Sequence, residues 1–287
     1  MDFKSDAQID AGSVSSGGGG RGGGLAVGGI GGVIVMILSL LLGFNPGDLL
    51  GSGGGNGEPQ GQGSVNANCK TGADVERDPD CRWPAYMTSL RQYWEQAYKG
   101  YKPTSMTTFS GGVQTACGTA NSQVGPFYCP GDSKIYIDKD FVGKLLEQLG
   151  TQSSYPAEAY IVAHEYGHHI QNLTGALSAS RDGKTGPTSG ATRVELQADC
   201  YAGVWLKWAA KNPDDVIDNI TEDDLNKIVD AARVVGDDHI QKRSGGGVQP
   251  DAWTHGSSKM RKYWTAKGFN SGDPNQCDTF NTNDLGQ

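Results

Sequence analysis

The chain has 287 residues, a net charge of −8 and 44 glycines. The negative balance removes any electrostatic reason to expect nucleic acid as a partner. The length allows one or two domains, but the glycine is concentrated near the N-terminus, which shrinks the part able to build a core.

In chain order, residues 12–24 and 51–63 are Gly/Ser-rich and read as flexible linkers. Between them, residues 25–44 (LAVGGIGGVIVMILSLLLGF) carry no charge. At 1.5 Å per residue such a helix spans about 30 Å, the hydrocarbon thickness of a bilayer. The run is longer than a signal-peptide core, and no small-residue cleavage site follows it, so it reads as an uncleaved anchor. Lys4 and Arg21 precede it and no Lys or Arg follows before Lys70. The positive-inside rule then expects residues 1–24 as a Gly-rich cytoplasmic tail and the large C-terminal part outside the cytoplasm. The expected division is tail 1–24, transmembrane anchor 25–44, Gly-rich linker 45–67 and folded domain 68–287.

All six cysteines (Cys69, Cys81, Cys117, Cys129, Cys200, Cys277) follow the apolar run. An even number on one side suits disulfides in an oxidising compartment. Nearness in sequence pairs Cys69 with Cys81 and Cys117 with Cys129, leaving Cys200 with Cys277. No C-x-x-C pair suggests a cysteine zinc site.

Residues 84–98 place Leu90, Tyr93, Trp94, Ala97 and Tyr98 at helical spacing, as core. Residues 107–136 alternate short Thr/Val/Tyr runs with turn signals, which predicts strands, with residues 134–138 the clearest. A helix follows, with Ser153 or Ser154 as cap, Pro156 in its first turn and Gly175 as its stop. Further helices are expected over 192–211, from a Thr221/Asp224 capping box to Gly236, and from after His255 to before Gly268. The fold class is α+β: a small antiparallel sheet and a helical bundle behind the N-terminal transmembrane helix.

The chemistry lies in AHEYGHHIQ, residues 163–171. His164 and His168 are one helical turn apart on one face and can bind one Zn²⁺, with Glu165 beside the metal as general base. A catalytic zinc takes three protein ligands and leaves one position for water. The metzincin continuation fails, because its glycine and third histidine would fall on Gln171 and Thr174. The thermolysin-like arrangement takes a glutamate from the next helix, and residues 195–199 read ELQAD. Glu195 supplies a third ligand; Asp199, one turn on, can accept the ring N–H of His164. His255, in DAWTHGSSKMR, is the first candidate to stabilise an oxyanion, with Arg261 or His239 (in a polar loop) as alternatives. His169 lies about 100° round the helix from His168 and is expected to pack or hydrogen-bond.

HEYGHHIQNLTG followed by RVELQADCYAGVW resembles the bacterial neutral zinc metallopeptidases, membrane-anchored gluzincin-type proteins. The likeness also takes in SGGVQTACGTANSQVGPFYCPGDSKIYID and THGSSKMRKYW, and so nearly all of residues 69–280. It implies a zincin-like metalloprotease domain, His164, His168 and Glu195 as ligands, and Glu165 as catalytic base. The expected activity is zinc-dependent endopeptidase cleavage of a peptide that adds as a strand to a sheet edge in residues 107–136. The competing readings are a zinc-stabilised envelope scaffold without catalysis and a cell-wall amide hydrolase. A structural site, however, has no use for Glu165 and closes its fourth position.

Overall fold

A computed structural model of the chain describes residues 1–17 and 68–287. The described elements, in order, are β1 (Asp2–Phe3), β2 (Val14–Ser16), α1 (Ala73–Arg77), α2 (Arg82–Ala97), β3 (Ser105–Phe109), β4 (Gly112–Thr115), β5 (Gly118–Asn121), β6 (Phe127–Cys129) and β7 (Lys134–Asp138). There follow α3 (Lys139–Leu149), α4 (Tyr155–Thr174), α5 (Gly190–Ala209), β8 (Ile217–Asp218), α6 (Glu222–Val234), α7 (Asp237–Arg243) and α8 (Ser258–Ser271). The α+β class is as expected.

The main sheet runs β2-β3-β7-β6. β3 is parallel to both β2 and β7, and only β6 is antiparallel to its neighbour β7. The expected antiparallel sheet is therefore corrected to a mixed one. The turn signals between residues 129 and 134 fit the antiparallel β6–β7 pair. They are silent on β3 and β7, which are neighbours only because the chain makes the β4–β5 hairpin between them.

Residues 1–17 belong to the domain. Val14–Ser16 pair with residues 106–108 of β3, Asp2–Phe3 pair with β8, Ile9 N–H donates to Lys70 O at 2.9 Å, and Arg91 binds Asp10 at 2.5 Å. These residues therefore pack against the folded domain, while the expected boundary at residue 24 lies outside the described residues. No helix among the described residues is long and apolar enough to cross a membrane; residues 25–44 lie outside the described residues.

All three expected disulfides are present: Cys69–Cys81, Cys117–Cys129 and Cys200–Cys277. The cap signals also set the helices that matter. The Ser154 hydroxyl accepts from Ala157 N–H at the start of α4, and Gly175 ends it at φ +83°, a left-handed cap that glycine adopts without strain. Thr221 and Asp224 form the capping box of α6. The last helix differs from expectation, running through Gly268 to Ser271. Gly268 is a crossing point and not a stop: a Cβ there would lie 2.0 Å from Cys200 O of α5. Gly203 of α5 has the same role, its Cβ position 2.1 Å from Thr265 O. In α2, Leu90, Tyr93 and Trp94 are buried as expected, while Ala97 is exposed. Of the glycines in the strand region, Gly111 and Gly118 have positive φ and open space around them, so they serve turns.

The candidate metal centre

Helix α4 is buried from Pro156 to Gln171, and α5 packs across it. Gly167, a spacer in HEYGHH, lies against Ala198 of ELQAD, where a Cβ would be 3.0 Å from Ala198 Cα. This close approach draws two polar turns of neighbouring helices together. His164, His168 and Glu195 each offer a ligand atom, and these atoms lie within 4.8 Å of one another. Glu195 Oε2 is 3.1 Å from His164 Nε2, and Oε1 is 3.5 Å from His168 Nε2. Among the described residues this is the group of His, Cys, Asp and Glu suited to hold an ion.

The chemistry of these donors fits zinc. Both Nε2 atoms face the common point because both Nδ1 atoms are held from behind. His164 Nδ1 is 2.8 Å from Asp199 Oδ1 and His168 Nδ1 is 2.8 Å from Gln171 Oε1. A carboxylate can only accept, so His164 carries its hydrogen on Nδ1 and turns a lone pair inward. His168 Nε2 and Glu165 Oε2 are buried and make no hydrogen bond within the protein. Buried polar atoms are costly when left alone, and a cation held by His164, His168 and Glu195 would give His168 Nε2 its partner.

Charge is distributed accordingly. Burial disfavours the ionised form of Glu195, yet His168, His255 and His164 hold its carboxyl well below the usual range. Burial also works against a charged His164, but Asp199 and Glu195 outweigh it and lift its pKa to about 9; a bound cation would take the place of that proton. Burial pushes the Glu165 carboxyl up, against the pull of His168 and His164.

Asp199 is fully buried and saturated. Oδ1 accepts from His164, from the Tyr160 hydroxyl at 2.5 Å and from Arg261 Nη2 at 2.8 Å, and Oδ2 accepts from Arg261 Nε at 2.8 Å. Arg261 also donates to Val235 O at 3.2 Å. Its fork is committed to Asp199. Asp237 Oδ2 accepts the backbone N–H groups of Thr254, His255 and Gly256 at 2.7–3.1 Å, and Oδ1 lies 3.1 Å from His255 Nδ1. Burial opposes a charged His255, but Asp237 and Glu195 raise its pKa. His239 is not in a loop: it sits in α7 with Nε2 on Leu149 O at 2.7 Å. His169 packs as expected, between Tyr128 OH at 3.1 Å and Lys102 O at 2.7 Å.

Beside the centre opens a pocket whose polar wall is His164, Glu165, Glu195, His255 and Arg261 and whose apolar wall is Pro126, Leu145, Leu149, Ile161, Val235 and Ile240. The sequence reading missed this wall, along with Asp237, Gln171 and Tyr160. Tyr160 and Gln171 had a usable signal, lying four residues before His164 and three after His168 on the same helical face. Asp237 had none, since α7 was read as a polar loop.

The chain matches over residues 2–280 the family described as "Putative neutral zinc metallopeptidase". An uncharacterized protein of Mycobacterium tuberculosis is 44% identical over 225 residues, covering 77% of each chain. The uncharacterized protein YpfJ of Escherichia coli K12 is 36% identical over 263 residues, 88% of this chain and 87% of its own. No solved structure is significantly similar.

Proposed function

The chain belongs to the "Putative neutral zinc metallopeptidase" family, and on that premise we propose that it hydrolyses peptide bonds with zinc held by His164, His168 and Glu195. The observation that carries this reading is the pair of orphaned buried atoms, His168 Nε2 and Glu165 Oε2, at the edge of a pocket. A closed structural zinc site would leave neither a carboxylate unpaired nor a pocket beside it. Zinc bound there supplies Lewis acidity, making water acidic near neutral pH and polarising the scissile carbonyl. Glu165 is the general base, taking a proton from water and returning it to the departing amine. His255, held through Nδ1 by Asp237 and lining the pocket, donates to the developing oxyanion.

The substrate is an extended peptide. β6 is an edge strand of the main sheet and continues directly from Pro126 in the pocket wall, so a peptide adding to it would lead its side chains past the centre. The apolar wall fits a bulky aliphatic or aromatic residue next to the cut bond. The test is digestion of an unbiased peptide library by the full-length protein, with and without a chelator. Cleavage should stop with the chelator and should favour Leu, Ile, Phe or Met at one position adjoining the cut. Leu145→Phe, which fills that wall, should lower kcat/KM for such peptides about tenfold while sparing alanine peptides. Chelator-resistant cleavage, or none in the zinc-loaded protein, would refute the proposal.

We place the domain outside the cytoplasm, because all six cysteines are paired, with membrane attachment through residues 25–44 and residues 1–17 on the same outer face. Single cysteines at Asp6 and at Lys184, both exposed, should react equally with a membrane-impermeant maleimide on intact cells. Labelling of Asp6→Cys only after lysis would show the two segments to be on opposite sides.

A further inference from the structure

A buried polar chain leads away from His168 and ends on a disulfide. His168 Nδ1–H meets Gln171 Oε1 at 2.8 Å. Gln171 Nε2 donates to Val194 O at 2.7 Å and to Gln197 Oε1 at 3.1 Å, and Gln197 Nε2 donates to Cys277 O at 3.0 Å. Both amides are directional here. Val194 O and Cys277 O are carbonyls and can only accept, so each glutamine must turn its NH₂ toward them and its oxygen back along the chain. That order delivers an acceptor, not a donor, to His168 Nδ1. It keeps the hydrogen on that nitrogen and the lone pair of Nε2 free for a metal.

The far end is fixed covalently. Cys277 is bonded to Cys200, three residues from Gln197 on the same helix, so both partners of the Gln197–Cys277 hydrogen bond hang from one short cross-link. Gln171 is fully buried and Gln197 nearly so, which leaves no water to substitute for a lost partner. The segment carrying Cys277 is also tied to α5 by Thr279, whose hydroxyl donates to Arg193 O at 2.7 Å. It therefore has a second attachment if the cross-link is removed.

We propose that Gln171 and Gln197 are positioning residues for the metal ligand His168, and that the Cys200–Cys277 disulfide acts on metal affinity by holding the carbonyl on which their orientation depends. This rests on the reading of His164, His168 and Glu195 as the zinc site. The test is zinc affinity by chelator competition, together with the visible spectrum of the cobalt-substituted protein, on full-length variants. Gln171→Ala should bind zinc about 10- to 100-fold more weakly, the usual cost of removing a partner behind a ligand. Gln197→Ala and the Cys200→Ser/Cys277→Ser double variant should each weaken it by about three- to tenfold, with a changed cobalt spectrum. Cys69→Ser/Cys81→Ser, which removes a cross-link with no route to His168, should leave both readouts as in wild type. Wild-type zinc binding matched within about twofold by Gln197→Ala and by the Cys200/Cys277 variant would overturn the inference while leaving the site intact. A wild-type protein that binds no zinc would overturn both. If the double serine variant does not fold, Gln197→Ala decides the role of the glutamines and Cys200→Ala/Cys277→Ala that of the disulfide.

Discussion

Glu165→Gln should leave zinc content unchanged and lower the rate of peptide cleavage by about 10²- to 10⁴-fold, the usual worth of a positioned general base. The amide has the shape of the carboxylate, so the packing of α4 is retained. Glu165 is also not one of the three grouped ligand residues. What is lost is the proton acceptor at Oε2, which faces no protein partner. Zinc content by elemental analysis and cleavage of the best library peptide, measured on one preparation, separate the two effects. Wild-type turnover by the zinc-loaded variant would remove Glu165 from the chemistry and favour a scaffold.

The largest effect on stability is expected at Asp199. Its carboxylate is the counter-charge for Arg261, which is only 3% exposed, and it is the partner of His164 Nδ1. Asp199→Ala leaves a guanidinium buried with only the Tyr160 hydroxyl, Val235 O and the His164 ring nitrogen beside it. Breaking a buried pair in this way costs about 3–5 kcal/mol, which lowers the melting temperature of a domain this size by about 10 °C. Zinc affinity should fall as well, by about 10- to 100-fold, because His164 loses its orienting acceptor. Asp199→Leu combined with Arg261→Met separates the two roles. Removing both charges should recover most of the stability and none of the zinc affinity. Recovery of zinc affinity in that double variant would mean that Asp199 acts only through Arg261, and a melting temperature unchanged in Asp199→Ala would contradict the stability argument.

The same residues show why parts of the site were legible and others were not. His164, His168, Glu195 and Asp199 stand at helical spacings on two adjacent helices, and the structure brings them together as expected. The caps Ser154 and Gly175 of α4, and Thr221 with Asp224 at the start of α6, could be read directly, because a cap acts within three or four residues of chain. The two disulfides joining cysteines 12 residues apart followed from nearness, and the third from elimination. Gln171 was read only as a failed metzincin position, although its place one turn from His168 was visible.

The amino-acid sequence by itself determined the local geometry of this protein: helix ends, the β6–β7 hairpin, and the facing of two imidazoles along one turn. Its helical periods, caps and turns depend on φ and ψ preferences over a few neighbouring residues, and these travel with the chain wherever it goes. Only the tertiary structure decided the rest. Asp237 reaches His255 from 18 residues away, the Cys277 carbonyl reaches Gln197 across 80, and strand β2 takes its place beside β3 across 92. Gly268 looked like a helix stop and is instead the point where α8 touches α5. A glycine permits both a left-handed cap and a close crossing. Which one it makes depends on what packs against it, and that is a property of the assembled core and not of the neighbouring residues.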